Sequence, residues 1–374
     1  MKLHIFNPDH DLALAANQKI FTAPHAGRLL RGDLSFIPAL WADDGDLVLV
    51  DDIDNARDKV RHLCGYENQD RVEFVTKLQL QKIFADTMSV DSIHPWGWNL
   101  SLKEELRRIG CPDIMLPTDE TMQKIRELSS RQWASAHLQS DVKFVSNLQD
   151  LILLVQQMQR AVVKAPWSSS GRGVRYLTAQ MLQDPGFSRW TERIIEKQGG
   201  VTVEPYYNKV KDFGMEFEAI DGQIVYRGLS LFQVAKNAYT GNVLASEEEK
   251  EEILQSYVSH EQLEAISQHV CEVMQPALKG VYSGPFGVDM MVCAKEPGSK
   301  DVFINPCIEL NLRRTMGHVA LAFSGHGEHP LRMMQVLFDG NRYHLIVRKI
   351  ERILNKIFNI QLLSPNNMFN TLFL

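Results

Sequence analysis

Cysteine is scarce in this 374-residue chain. Its five cysteines (Cys64, Cys111, Cys271, Cys293, Cys307) are scattered, odd in number and never spaced as Cys-x-x-Cys. That excludes a disulfide framework and a zinc ribbon, and it fits a reducing cytoplasmic compartment. Long apolar runs are missing too. No stretch approaches the roughly 20 residues that span a bilayer, and the opening MKLHIFNPDHDLALAANQ has no apolar core of a signal peptide. No membrane partner is expected. Positive charge is not in excess: the net charge is -6, which excludes broad attraction to nucleic acid but leaves room for a local basic pocket around a small anion. There is no Gly-Lys-Ser/Thr, so no Walker A loop, and no GxGxxG fingerprint. Internal repeats and low-complexity segments are absent.

What is present is an ordinary globular composition, 44% hydrophobic and 23% charged, long enough for two or three domains. Residues 1–117 alternate short apolar runs (KLHIF, DLVLV, VEFV, DSIHPW) with helical patterns (LQLQKIFADTM, LSLKEELRRIG). Such alternation predicts a Rossmann-like parallel sheet in an α/β domain. Thr118 or Asp119 is placed to cap the next helix. Residues 118–200 carry helices, the strand AVVKAP and a Gly/Ser loop. Residues 201–330 read as strands with a hairpin at Asp221–Gly222 and helices near 247–279, and 331–374 reads as a helical tail.

Two stretches carry chemistry. In VVKAPWSSSGRGVRYL, Lys164 ends a buried strand and Ser168, Ser169, Ser170, Gly171 and Gly173 follow. Backbone N–H groups of such a loop form an anion-binding concavity, glycine lets the backbone approach a phosphate, and the lysine adds a point charge. A flexible surface loop is the plain alternative. In GVDMMV and INPCIELNL, Asp289 lies mid-strand and Glu309 and Asn311 lie two apart on another strand. Residues two apart share a face, so these three make an all-oxygen set of the kind Mg²⁺ prefers. Salt bridges to Arg313, Arg314 or a lysine are the alternative.

These pieces, in this order, resemble the ATP-grasp superfamily over residues 118 to 325. The resemblance implies an ATP-grasp fold behind an N-terminal Rossmann-like domain. It implies that Arg131 and Lys164 meet nucleotide phosphates under the flap 168–173. Glu204, Pro205, Tyr206 and Tyr207 in VTVEPYY would line the adenine, and Asp212 would hold the ribose, with Lys211 or Glu216 as alternatives. Asp289, Glu309 and Asn311 would bind Mg²⁺, with Mn²⁺ as a substitute. Pro205 has a carbonyl but no N–H, so it can only accept there. Arg313, with Arg314 beside it, matches an arginine that meets an acyl phosphate or a substrate carboxylate. The implied activity is an ADP-forming ligase joining a small-molecule carboxylate to an amine; a kinase-like phosphotransferase or a non-catalytic nucleotide-binding module are the rivals, and a homodimer is compatible. Lys236, Tyr239, Asn242 and His318, and from the first domain Asp9, His10, Asp11, His25, Arg28 and Arg31, are further candidates for the cleft. Trp96 and Trp98 read as core, and His326 and His329 as solvated loop.

Overall fold

The first apolar run forms a strand because His4, Leu3 and Ile5 have buried positions to fill on both sides, as central parallel strands do. The computed structural model describes residues 1–63, 71–86, 90–139, 141–168, 173–235, 238–324 and 331–350. Strands β1 (Lys2–Ile5), β2 (Leu47–Leu49), β3 (Glu73–Val75) and β4 (Ser92–Pro95) make a parallel sheet in the order β3-β2-β1-β4. The helices after β2, β3 and β4 start at capping side chains. Asp52 accepts from Asn55 N, Thr76 forms a capping box with Gln79, and Asn99 accepts from Leu102 N. The loops after β1 and β4 meet at one end of the sheet, where Asn7 Nδ2 donates to the Gly97 carbonyl at 2.8 Å.

A second sheet holds β5 (Lys143–Val145), β6 (Arg160–Lys164), β7 (Val174–Thr178) and β8 (Val201–Pro205), antiparallel in the order β5-β8-β6-β7. Ala161, Val163, Val201 and Val203 pack one face against helices Leu148–Met158 and Pro185–Gln198. Alternation then turns Lys164, Thr202 and Glu204 to the opposite face. Residues 201–205 therefore belong with the flap sheet. A boundary at 200/201 is overturned, because β8 takes its hydrogen bonds from β5 and β6.

The long hairpin β9 (Asn208–Ile220) and β10 (Gln223–Ser230) turns at Asp221 and Gly222, with φ of 51° and 78°. After β11 (Phe232–Ala235), β12 (Ala238–Leu244) and helices Glu247–Leu254 and His260–Leu278 come β13 (Gly284–Ala294) and β14 (Val302–Asn311). The third sheet runs β10-β9-β13-β14. Phe213, Met215, Phe217, Phe286, Val288 and Met290 fill its inner face; each such side chain contributes about 1.5–3 kcal/mol.

Strands β15 (Arg332–Phe338) and β16 (Tyr343–Lys349) complete a fourth sheet, β11-β12-β15-β16. The expected helical tail is thus a β-hairpin over 332–349, and residues 351–374 lie outside the described residues. The hairpin forms because Asp339 Oδ1 accepts from the Asn341 and Arg342 N–H groups at 2.7 Å each and Gly340 adopts φ 100°. Its strands bury Met334 and Leu345 against Phe6, Leu34 and Trp96 of the first domain. Among the described residues no helix is long and apolar enough to cross a membrane.

Candidate functional site

Lys164 and Glu204 stand on neighbouring strands of the flap sheet, on its non-core face. Lys164 Nζ lies 2.6 Å from Glu204 Oε1. It also donates to the Ile308 carbonyl at 3.4 Å, so the lysine touches β14 at the residue before Glu309. Arg131 opens the helix Arg131–His137, whose cap is Ser130. Its Nη1 donates to the Ala165 carbonyl and to Ser168 Oγ, both at 2.8 Å, and its Nη2 to Glu309 Oε1. The flap sheet thus meets the acidic wall through two cations.

On the wall, Asp289 and Glu309 are cross-strand partners, and Asn311 stands opposite Gly287. Asn311 Nδ2 donates to Asp289 Oδ2 at 3.2 Å. Arg313 Nη2 donates to Asn311 Oδ1 at 2.9 Å. The Arg313 fork also closes on Asp11, with Nη2 donating at 2.8 Å and Nε at 3.0 and 3.1 Å. A loop of the first domain is thereby tied to the wall. Burial, and then the charges of Glu309 and Glu216, push the Asp289 carboxyl up to about 8. Two facing acids and one amide are hard oxygen donors whose mutual repulsion a divalent cation relieves, so the set fits Mg²⁺. Among the described residues no group of three or more His, Cys, Asp or Glu is spaced to hold a metal; the amide of Asn311 is the third donor here.

The flap is anchored at both ends. Arg126 lies over the Trp167 ring at 3.5 Å, and Trp167 Nε1 donates to the Arg126 carbonyl at 3.0 Å. A Cβ at Gly173 would fall 2.3 Å from Ser168 Cβ, so this close crossing requires glycine. Ser169, Ser170 and Gly171 lie outside the described residues, as do Lys236, His326 and His329. On the hinge, Pro205 pairs with Ala161, the Tyr206 ring lies under Arg160 at 3.9 Å, and the Tyr207 ring meets Phe303 at 6.1 Å. Asp212 is paired with Lys209 at 2.8 Å.

Arg314 is not brought to this site. Its N–H binds the Trp96 carbonyl at 2.8 Å and its guanidinium stacks on Trp41 at 4.3 Å. Successive residues diverge here because only Arg313 turns back to Asn311. Arg31 pairs with Glu105, and Arg28 binds its own loop at the Ala23 carbonyl. His10 is buried against Gly97 and Asn99.

Beside the wall lies a cavity of about 520 Å³. The first domain lines it with Phe6, Asp11, Leu30 and Trp96, and the wall with Glu216, Asp289, Glu309, Asn311 and Arg313. Tyr239 and Asn242 also reach it, while Trp96, expected only in the core, does both. Glu216, read from the sequence as an alternative to Asp212 for the ribose, lines this cavity.

No family model matches the chain, and no curated protein matches it. Among solved structures, the biotin carboxylase domain of the Hydrogenobacter thermophilus 2-oxoglutarate carboxylase superposes over 90% of this chain and 74% of its own, with TM-score 0.50 at 12% identity. The fold is ATP-grasp. The biotin carboxylase of Campylobacter jejuni (12% identity, 90% and 75% covered, TM-score 0.49) is also similar. So is the Staphylococcus aureus N5-carboxyaminoimidazole synthetase with ADP (12% identity, 91% and 83% covered, TM-score 0.48). The parallel sheet fits the N-terminal domain of that fold.

Proposed function

We propose that this protein is an ATP- and Mg²⁺-dependent ligase that activates a small carboxylate as an acyl phosphate for attack by an amine, releasing ADP and phosphate. One observation carries the reading: Lys164 and Arg131 reach the strand that bears Glu309, with Asp289 directly opposite. Cations and acids converge on one crevice, as a nucleotide triphosphate and its metal require. Asp289, Glu309 and Asn311 would hold Mg²⁺, or Mn²⁺, which when bound neutralises phosphate charge as a Lewis acid.

Lys164 and Arg131 bind phosphate oxygens by charge-assisted hydrogen bonds. Ser168 to Gly173, including Ser169, Ser170 and Gly171, cover the phosphates and exclude water. Glu204 to Tyr207 offer backbone groups to adenine, and Asp212 to the ribose. Arg313, held between Asp11 and Asn311, keeps the wall in register with the first domain and presents its charge to the acyl phosphate. The superposed 2-oxoglutarate carboxylase domain is bound to MgADP and bicarbonate, which supports a nucleotide and a small acid as ligands. Incubation with Mg-ATP and pools of carboxylates and amines, read as ADP and free phosphate, tests this. Lys164→Ala and Glu309→Ala should each abolish turnover in folded protein. ADP formed without free phosphate would make the protein a kinase, and normal turnover in both variants would overturn the site.

A further inference from the structure

The cavity carries an acid, Glu216, to which no role in nucleotide or metal binding falls. Glu216 is 3% exposed and lines the cavity. Among the described residues its Oε2 has no hydrogen-bond partner. His318 Nδ1 is 2.9 Å away, but the Thr315 N–H closes on that nitrogen at 3.3 Å. His318 Nε2 faces the Phe217 carbonyl at 3.1 Å, which only accepts, so Nε2 carries the proton. Nδ1 also faces the Thr315 hydroxyl at 3.0 Å.

The Glu216 carboxylate sits in a slot made of glycine. A Cβ on Gly317 would fall 1.8 Å from Oε1, and one on Gly287 would fall 2.5 Å from Oε2. A buried carboxylate without a donor is costly unless a cation arrives. The rest of the lining sets the charge and shape of that cation. Among the described residues Arg313 is the sole lysine or arginine of the cavity wall, and Asp11 already closes its fork. Without a metal on Asp289 and Glu309 the surrounding field is negative and disfavours an anion. Away from the acids, Phe6, Leu30, Trp96, Phe232, Val234 and Tyr343 supply an apolar surface. Beside Glu216, Tyr239 donates to Asn242 at 2.6 Å and Asn242 to Ser230 at 2.8 Å, a chain that satisfies its own polar groups and stiffens the pocket.

We propose that this cavity is the acceptor-substrate pocket and that it selects a primary amine with an apolar body, bound as the ammonium by Glu216, whose carboxylate takes one proton as the nitrogen attacks and phosphate leaves. Its role as acceptor rests on the ligase reading; the preference for an apolar ammonium does not. The test is calorimetry on the full chain with three probes that share a ring: phenethylamine, 2-phenylethanol and 3-phenylpropionate. Mg-ADP binding is measured first. Phenethylamine should bind at least about tenfold more tightly than the alcohol, the difference a charge-assisted bond makes, and the carboxylate should not bind. Glu216→Gln, checked for folding by circular dichroism, should bring the amine down to the level of the alcohol. Equal binding of the three probes, no binding by any, tighter binding of the carboxylate, or an unchanged amine affinity in folded Glu216→Gln would each overturn the proposal. The probe comparison on the unsubstituted protein decides it even if the variant fails to fold. Mg-ADP binding without amine preference sinks this inference alone; amine preference without Mg-ADP binding sinks the ligase reading alone.

Discussion

Replacing Lys164 with methionine isolates the group on which the crevice depends. Lys164 and Glu204 are 2.6 Å apart, with side-chain exposures of 8% and 7%. The pair is therefore shielded from solvent and from salt. Removing one member of a buried pair leaves an uncompensated charge and costs about 3–5 kcal/mol, whereas replacing both members with neutral groups of similar size can be nearly neutral. Lys164→Met should therefore lose about 3–5 kcal/mol in urea unfolding. The double variant Lys164→Met with Glu204→Gln should regain more than half of that, for a coupling of roughly 2 kcal/mol. Tryptophan fluorescence follows the transition. ATP turnover should stay lost in the double variant, because restored stability does not restore the phosphate-binding cation. A single-variant loss below about 1 kcal/mol, or single losses that simply add in the double, would show that the two charges do not depend on each other and refute the reasoning.

Three further outcomes are expected. Gly317→Ala should destabilise by roughly 1–3 kcal/mol through overpacking, despite alanine's helix preference, because its methyl would fall 1.8 Å from Glu216 Oε1; a raised Tm would dismiss the glycine slot. His10 is 1% exposed and burial holds its pKa down to about 4. The unfolded chain takes up that proton first as pH falls, so stability should be level above about pH 6.5 and decline toward pH 4, by up to roughly 3 kcal/mol. Urea titrations should show His10→Gln losing this slope; a slope of opposite sign would contradict the assignment. Asp11→Ala strips the bidentate partner from Arg313 and should lower turnover more than about tenfold by loosening Asn311. Unchanged turnover would show that Arg313 does not need the first domain.

Much of the site was readable because its signals are local. The period-2 patterns around Lys164, Asp289 and Glu309 place these side chains on particular strand faces, and each sits where that alternation requires. The Asp221–Gly222 turn was equally plain. The hairpin at 332–349 was missed although Asp339 and Gly340 mark its turn, because RMMQVLF and YHLIVRK are short apolar runs whose period does not separate strand from helix. Arg313 stands at the matching spacing in sequence, with Arg314 kept beside it as a second candidate. Only packing separates them, sending one to Asp11 and Asn311 and the other onto Trp41.

The sequence by itself determined most elements, the 332–349 hairpin excepted, and which side chains carry charge, since these follow from local sterics and periodicity. The tertiary structure alone decided the partners. Arg313 finds Asp11 across 302 positions, and Arg131 finds Glu309 across 178. Glu216 acquires its slot only where β9, β13 and the helix Met316–Ser324 converge. Such meetings depend on strand register and layer packing, which no local pattern encodes.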